Sequence, residues 1–507
     1  MIKKYGLLLL FVFVKFLLQY QVIAPEFQLH RDEYLHLDQA HHLAWGYTSV
    51  PPLTSWVSWL IFQLGNSEFW VKFFPALFGV LTMVLIWKTV EALKGGVFAQ
   101  VLAATTFVFS GFVRMNMLYQ PNSFDILAWT ACFYFLIKYL NSEESKWLYY
   151  LAAAFALGFL NKYNIVFLLI GLLPALAVSK HRVVFLKKEF YLAILMAFLL
   201  ILPNVLWQLQ NDFPVLHHMK QLTESQLVNQ SRLSFLVEQL MFVIGSILLI
   251  LGAFVALLVY KPFKTYRFLV LTYLITMAVY VYLKAKGYYA FGLYPVFYAF
   301  GAVFFEGILK ATKKVWLRPA LVVFPVLFFA LIFRVAFPIY GPKDLDKILP
   351  KYKKYGLAKW EDGKEHTLPQ DFADMLGWKP LAALVGSASL LLPENEYTLI
   401  LCDNYGEAGA INFYSKNKHS EAVSFSGDYL NWFDLDRKIV HVILVQDPND
   451  SDKERKRETP MFEEVIKIGE VNDAFAREYG SAVYVLKGAK VDVNQILRDE
   501  LKAEKQH

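Results

Sequence analysis

Residues 31–56 read RDEYLHLDQAHHLAWGYTSVPPLTSW and gather three acids, Asp32, Glu33 and Asp38, with three histidines, His36, His41 and His42. Two kinds of chemistry suit such a set. A carboxylate can take a proton from a hydroxyl as a new bond forms. Asp/His pairs can begin a metal site. On a helix Asp32 and Glu33 diverge by about 100°, so they are not a facing pair. Asp32 and His36 are four apart, and Asp38 precedes His41 and His42 by three and four, so those pairs share a helical face. The spacing sets no third metal ligand. A solvated amphipathic helix lying on a membrane accounts for the same letters, and all three readings stand at this level. After the acids, Gly46 permits a tight turn. Pro51 and Pro52 impose an extended entry into LTSWVSWLIFQLG. That apolar stripe reads as a helix in the membrane interface, anchored by Trp56 and Trp59.

A second set is cationic. Arg114, Lys162 (in LNKYN), and Lys284 and Lys286 (in LKAKGYYAFGLYP) stand at the ends of apolar runs. Singly, each reads as a long cation snorkelling to an interface. Nearby, Asn122 and Asp125 in QPNSFDILAW fit a cap at a helix start. Asn204 and Trp207 in LPNVLWQ fit the end of a span bent at Pro203.

The elements that must hold these residues follow from composition. Of 507 residues, 57% are hydrophobic and only 18% charged, where a soluble domain carries about a quarter. The apolar residues form about eleven runs, near 5–24, 68–93, 96–113, 122–141, 147–161, 163–179, 189–209, 233–260, 267–284, 288–309 and 318–338. Several are long enough to cross a bilayer, so the chain reads as a polytopic membrane protein. The fifth and sixth runs are split by Asn161-Lys162-Tyr163-Asn164. Lys3 and Lys4 before the first run, with no small-residue cleavage site near 21–26, predict an uncleaved first span. With the N-terminus cytoplasmic, Lys and Arg favour the inner loops by better than two to one. The acidic segment, Arg114, Lys162, Lys284 and Lys286 then share the outer face. Cations there run against the trend, and a phosphate headgroup at the outer interface supplies a reason.

The net charge of +7 is scattered between apolar runs rather than gathered in a patch, which argues against nucleic acid. Cys132 lies in a span and Cys402 in the C-terminal region, so the two do not pair. After Tyr340 the composition turns polar. YTLILC (397–402), KIVHVILV (438–445) and SAVYVL (481–486) read as strands, with helical patterns between, as around 407–415. An odd number of spans places this small α/β domain outside. The expected architecture is mainly α: a transmembrane helical bundle over 1–340 with an interfacial-helix loop, and an extracytoplasmic α/β domain over 341–507.

RDEYLHLDQAHHLAWGYTSVPPL resembles the first outer loop of the GT-C superfamily of lipid-linked-sugar glycosyltransferases. The likeness is to the bacterial branch related to protein O-mannosyltransferases and to the aminoarabinose transferase of lipid A. FDILAWT, LNKYNIVFL, LPNVLWQ and KGYYAFGLYPVFYA resemble that branch in order and spacing, over about residues 1–310. LCDNYGEAGAINFY (401–414) is similar to the outer C-terminal domain of some members. The resemblance implies a cytoplasmic-membrane enzyme that moves a sugar from a polyprenyl-phosphate carrier to a lipid, glycan or protein acceptor on the outer face. It implies Asp32 as the catalytic base, with Glu33 its neighbour in the motif.

A single displacement at the anomeric carbon would invert it. Arg114, Lys162, Lys284 and Lys286 are the candidates for the donor phosphate. Tyr34, His42, Tyr47, Asp125, Tyr163, Trp207, Tyr288, Tyr289 and Tyr294 are candidates to line the substrates. Aminoarabinose transferases carry a Lys just before Pro-Pro, and here that position is Val50, so carrier binding must use other cations. Some members use a divalent metal ion and others do not, which leaves such an ion open. No Gly-rich phosphate loop follows a strand, so no nucleotide-sugar site is expected. The rival reading is a secondary transporter or lipid-linked-sugar flippase, and a third is a membrane scaffold presenting the C-terminal domain. Transporters place polar groups mid-membrane, whereas these spans are nearly free of charge and the polar residues gather at one face.

Overall fold

The computed structural model describes residues 2–225, 228, 230–415 and 421–505. It separates into two compact units. The first holds residues 1–23, 44–54 and 68–339, and the second holds 24–43, 55–67 and 340–507. The division is therefore not a single cut near 340, because two pieces of the first loop pack with the C-terminal segment. Backbone bonds explain this: the Gln28 amide donates to Met375 O (2.8 Å) and the Arg31 amide to Asp374 O (3.0 Å).

The first unit is a helical bundle in which each expected span contains a helix. Among the described residues six helices can cross a membrane by length and composition: Glu68–Ala92, Pro121–Ser142, Lys188–Gln210, Arg232–Val259, Gly287–Ala311 and Val315–Ala336. A pair bent by 108° at Val178-Ser179 makes up to seven. Tyr5–Gln21, Val97–Val108 and Phe268–Tyr282 are shorter apolar helices. Gly287–Ala311 is almost wholly enclosed, with Tyr294, Phe297, Tyr298 and Phe300 in the core. Lys188–Gln210 instead exposes Leu192, Ile194, Leu195, Phe198 and Leu199. Bare leucine and phenylalanine along a helix face are stable against lipid, not water.

The break at 161–164 is a device of backbone geometry. The helix Lys146–Asn161 ends at Lys162, whose extended backbone (φ −159°, ψ 128°) also starts a short turn, Tyr163–Ile165, before Val166–Ala177. Two apolar helices thus meet at one lysine. The span interiors are less free of charge than their sequence suggests. Lys15 is fully buried in the first helix, and its Nζ donates to Gln19 Oε1 (3.0 Å). Glu306 is also buried and accepts from the Gly96 amide (2.6 Å).

The second unit is built on a five-stranded sheet of order β2-β1-β3-β5-β4. The strands are β1 (Thr398–Cys402), β2 (Ala422–Ser424), β3 (His441–Gln446), β4 (Phe462–Glu470) and β5 (Ala482–Ala489). β1 runs parallel to β2 and β3, and β5 runs antiparallel to β3 and β4. β2 and β4 were not among the strand-like runs. The first has three residues, and the second, FEEVIKIGE, is an edge strand carrying charge on its exposed positions. The crossover from β1 to β2 is the helix Tyr405–Tyr414, and the helix Arg31–Asp38 packs on it. Gly409 permits that contact, since a Cβ there would lie 2.7 Å from Tyr34 Cβ and 3.0 Å from the Tyr34 backbone. The helix Leu53–Gln63 exposes Trp59, Leu60 and Phe62, as an interfacial helix does.

Candidate active site

The acidic segment forms a helix only from Arg31 to Asp38, and residues Glu33 to Asp38 are buried. The solvated-helix reading is therefore excluded. Asp38 ends the helix, so it forms no helical face with His41 and His42. His41 packs edge-on against Phe62, and His42 stacks on Trp432 with its Nε2 3.3 Å from Glu421.

His30 opens the helix. Its Nδ1 accepts from the Asp32 amide (3.1 Å), and Glu33 Oε2 accepts from the His30 amide (2.6 Å). This is a capping box, in which two orphan backbone donors are satisfied reciprocally. It gives Glu33 a structural task, and Glu33 is only 2% exposed.

Asp32 points elsewhere. Its Oδ1 accepts from the Tyr405 hydroxyl (2.7 Å) and its Oδ2 lies 3.9 Å from His30 Nδ1. The far ring nitrogen of His30 is 3.6 Å from Asp374, which is paired in turn with Arg477 (3.2 Å). The Arg31 guanidinium stacks 4.2 Å above the Tyr405 ring. Burial works to raise the Asp32 carboxyl, but His30, the Tyr405 hydrogen bond and Arg31 outweigh it and hold it below its ordinary value. At 39% exposure the side chain is within reach of a reactant. An ionised, accessible and oriented carboxylate is what proton abstraction requires.

Asp38, at the other end, is 8% exposed. Its Oδ2 accepts from Tyr429 (2.6 Å) and Asn412 (2.7 Å), both neutral. Burial there pushes the carboxyl up to about 7.

The membrane unit holds its own polar cluster. Lys162 Nζ donates to Asn122 Oδ1 (2.6 Å) and lies 4.8 and 4.6 Å from the ring centres of Tyr288 and Tyr289. Lys286, half-buried, stands just before the Gly287–Leu293 turn that carries Tyr288 and Tyr289. Asp125 accepts from Trp129 Nε1 (3.1 Å) and Asn164 Nδ2 (2.8 Å), and Asn164 Oδ1 accepts from Tyr280 (2.8 Å). Neither Asn122 nor Asp125 caps the helix, which starts at Pro121 without a side-chain cap.

The other candidates separate. Arg114 Nη1 donates to Ala336 O (2.7 Å), a helix-end carbonyl, and Lys284 is exposed. Tyr34 is fully buried, edge-on to Trp378 and Phe413, and Tyr294 is 1% exposed with its hydroxyl on Gln239 (2.8 Å). Both are core residues rather than substrate-lining ones. Tyr47 is 3% exposed, accepts from the Ala44 amide and closes a turn through its own amide to Val50 O (3.0 Å). Gly46 does not use a left-handed backbone there. Its hydrogen makes room for the ring of Trp207, which a Cβ would meet at 2.3 Å. Trp207 lies in the last turn of its helix, which runs to Gln210. Asn204 is fully buried, donating to Trp45 O (2.7 Å) and accepting from Tyr163 (3.1 Å).

His30, Asp374 and Tyr405 were missed. Tyr405 lies 373 positions from Asp32, and the only signal was its place in the quoted CDNYGEAG stretch. Among the described residues no three of His, Cys, Asp and Glu are gathered as a metal ion needs.

The fold and these clusters define a multi-pass helical membrane unit together with a separate α/β unit. Its relatives are consistent with that. Residues 49–207 match the family model described as dolichyl-phosphate-mannose-protein mannosyltransferase. The lipid A galacturonosyltransferase RgtD of Rhizobium johnstonii is 24% identical over 197 residues, which span 36% of this chain and 40% of that protein. Two solved structures of ArnT from Cupriavidus metallidurans, one bound to undecaprenyl phosphate and one apo, match with TM-scores of 0.62 and 0.63 at 12% identity. Each match covers 95% of this chain and 98% of that one. At such identity the likeness is one of fold, and the fold is ArnT-like.

Proposed function

We propose that this chain is an integral membrane glycosyltransferase. It moves a sugar from a polyprenyl-phosphate carrier to a lipid, glycan or protein acceptor on the outer face of the cytoplasmic membrane. The N-terminus is cytoplasmic and residues 341–507 are extracytoplasmic, as the loop charges favour. The observation that carries the reading is Asp32, an ionised carboxylate open to a reactant at the motif position where a base is expected. The carrier class is supported by the ArnT fold, since one ArnT structure holds undecaprenyl phosphate.

In this mechanism the acceptor hydroxyl oxygen attacks the anomeric carbon while the bond to the carrier phosphate breaks. Asp32 takes the hydroxyl proton. The phosphate leaves with the electron pair, and its negative charge calls for a fixed cation. In the membrane unit the candidates for the carrier phosphate are Lys286 and Lys162, whose ammonium lies beside the mutually perpendicular rings of Tyr288 and Tyr289. The displacement inverts the anomeric centre.

Mass spectrometry of surface lipids and glycans, with and without the gene, tests the reading. Loss of one sugar from one product is expected on deletion, restored by the wild type and not by Asp32→Asn at equal protein level. Normal transfer by that variant would remove Asp32 from the mechanism. RgtD makes uronic acid on lipid A the first product to look for.

A further inference from the structure

We infer that Tyr405, delivered by the C-terminal segment, is a positioning residue for the Asp32 base, and that the α/β unit is thereby part of the transfer machinery. The inference rests on the reading of Asp32 given above and assigns that unit a task. Three observations within the second unit carry it. The Tyr405 hydroxyl donates to Asp32 Oδ1 at 2.7 Å, occupying one carboxylate oxygen. That bond fixes the carboxylate plane while Oδ2 lies toward His30, 3.9 Å away.

The second observation is how firmly Tyr405 is held. It is the first residue of the helix Tyr405–Tyr414, whose start is locked by a capping box. Asn404 Oδ1 accepts from the Gly406 and Glu407 amides, and Glu407 reaches back to the Asn404 amide. A rotamer set at a capped helix start is more precise than one on a loop.

The third is Arg31. Its guanidinium covers the Tyr405 ring at 4.2 Å, and its Nε is buried without a hydrogen-bond partner among the described residues. A buried Nε in that state is costly, and the stack on the ring is what the side chain gains in return. Gly406 makes the space for it, since a Cβ there would meet Arg31 Cγ at 2.4 Å. Arg31 thus clamps the ring whose hydroxyl holds the base. Deleting the hydroxyl leaves the clamp in place, so Tyr405→Phe isolates the hydrogen bond from the packing.

The test compares the full-length wild type, Tyr405→Phe and Asp32→Asn. Three quantities are read: protonation of Asp32 by infrared difference spectroscopy on 13C-aspartate-labelled protein, binding of undecaprenyl phosphate, and the surface product by mass spectrometry. In Tyr405→Phe the Asp32 carboxylate should protonate at higher pH, because a hydrogen bond to the charged form is gone. Undecaprenyl phosphate binding should be unchanged. Product formation should fall on the order of ten- to a hundredfold, the size of one charge-assisted hydrogen bond. Gly406→Ala, which displaces Arg31 and leaves the hydroxyl, should give the same shift at smaller size.

Unchanged Asp32 protonation in Tyr405→Phe overturns the inference, whether or not product falls. So does wild-type product at a shifted protonation. If Asp32→Asn transfers normally, the reading of Asp32 as base fails. The protonation of Asp32 in Tyr405→Phe still reports whether the tyrosine controls that carboxylate.

Discussion

Asp32 and Asp38 stand at the two ends of one eight-residue helix and live in opposite electrostatic surroundings. Around Asp32 are His30, Arg31 and a tyrosine hydroxyl, and its side chain is 39% exposed. Around Asp38 are an asparagine amide and another tyrosine hydroxyl, and the residue is 8% exposed. The first carboxyl is held down and the second pushed up to about 7. One helix thus presents a carboxylate ready to accept a proton and a carboxyl that keeps its own until near neutrality. Burial sets the direction at Asp38. Nearby positive charge reverses it at Asp32. Two acids of the same type, six positions apart, differ in charge because His30, Arg31 and Tyr405 surround one, while burial dominates the other.

The sharpest way to break the comparison is to substitute each acid by its amide. Asp32→Asn should abolish transfer at normal protein level, whereas Asp38→Asn should retain it, as read from the surface product. Loss of transfer in both would mean that the two ends are not distinct. A smaller effect is expected at the membrane cluster. Lys162→Met should weaken binding of undecaprenyl phosphate by roughly tenfold, the loss of one charge-assisted contact. It should leave Asp32 protonation unchanged, and unaltered binding would remove Lys162 from the carrier phosphate.

The two acids also predict opposite slopes of stability with pH. The unfolded value of an aspartate is about 3.9. Asp38 folded keeps its proton up to about 7, so between those values the folded state binds more protons than the unfolded. Its contribution to stability therefore falls as pH rises from about 4 to 7 and levels off above. Asp32 is depressed in the folded state, so its contribution is present above its unfolded value and is lost as pH falls through the folded one. Thermal unfolding of the full chain in detergent should show Asp38→Asn gaining on the wild type between about pH 4 and 7, with the gain level above and absent below about pH 4. A constant difference across that range would mean that Asp38 does not titrate there.

The smallest effect belongs to Glu33. Glu33→Gln keeps an oxygen for the His30 amide, so stability should change by no more than about 1 kcal/mol and transfer should persist. Loss of transfer at unchanged stability would make Glu33 catalytic rather than a cap.

The membrane character, the place of each helix and the break at Lys162 were legible in the residues themselves. Apolar runs of span length, and the polar quartet that splits two of them, are local facts that need no partner to be read. The α/β nature of the C-terminal segment was legible for the same reason in its three apolar strands, and lost in β2 and β4, which are too short or too charged at the edge to stand out. Asp32 emerged through a motif resemblance, and the clustering of Lys162 with Tyr288 and Tyr289 was foreshadowed only as shared sidedness.

What the letters determined alone is a helical membrane chain with acids after its first helix and cations that break the usual charge bias. What only the tertiary structure decided is which of those acids is ionised and held. Hydrophobic periodicity is a property of neighbours in sequence, and it survives reading one residue after another. A carboxylate's charge state depends on burial and on groups brought from hundreds of positions away, here Tyr405, Asn412 and Tyr429. Those distances exist only after β1 and its crossover helix have folded against the first loop.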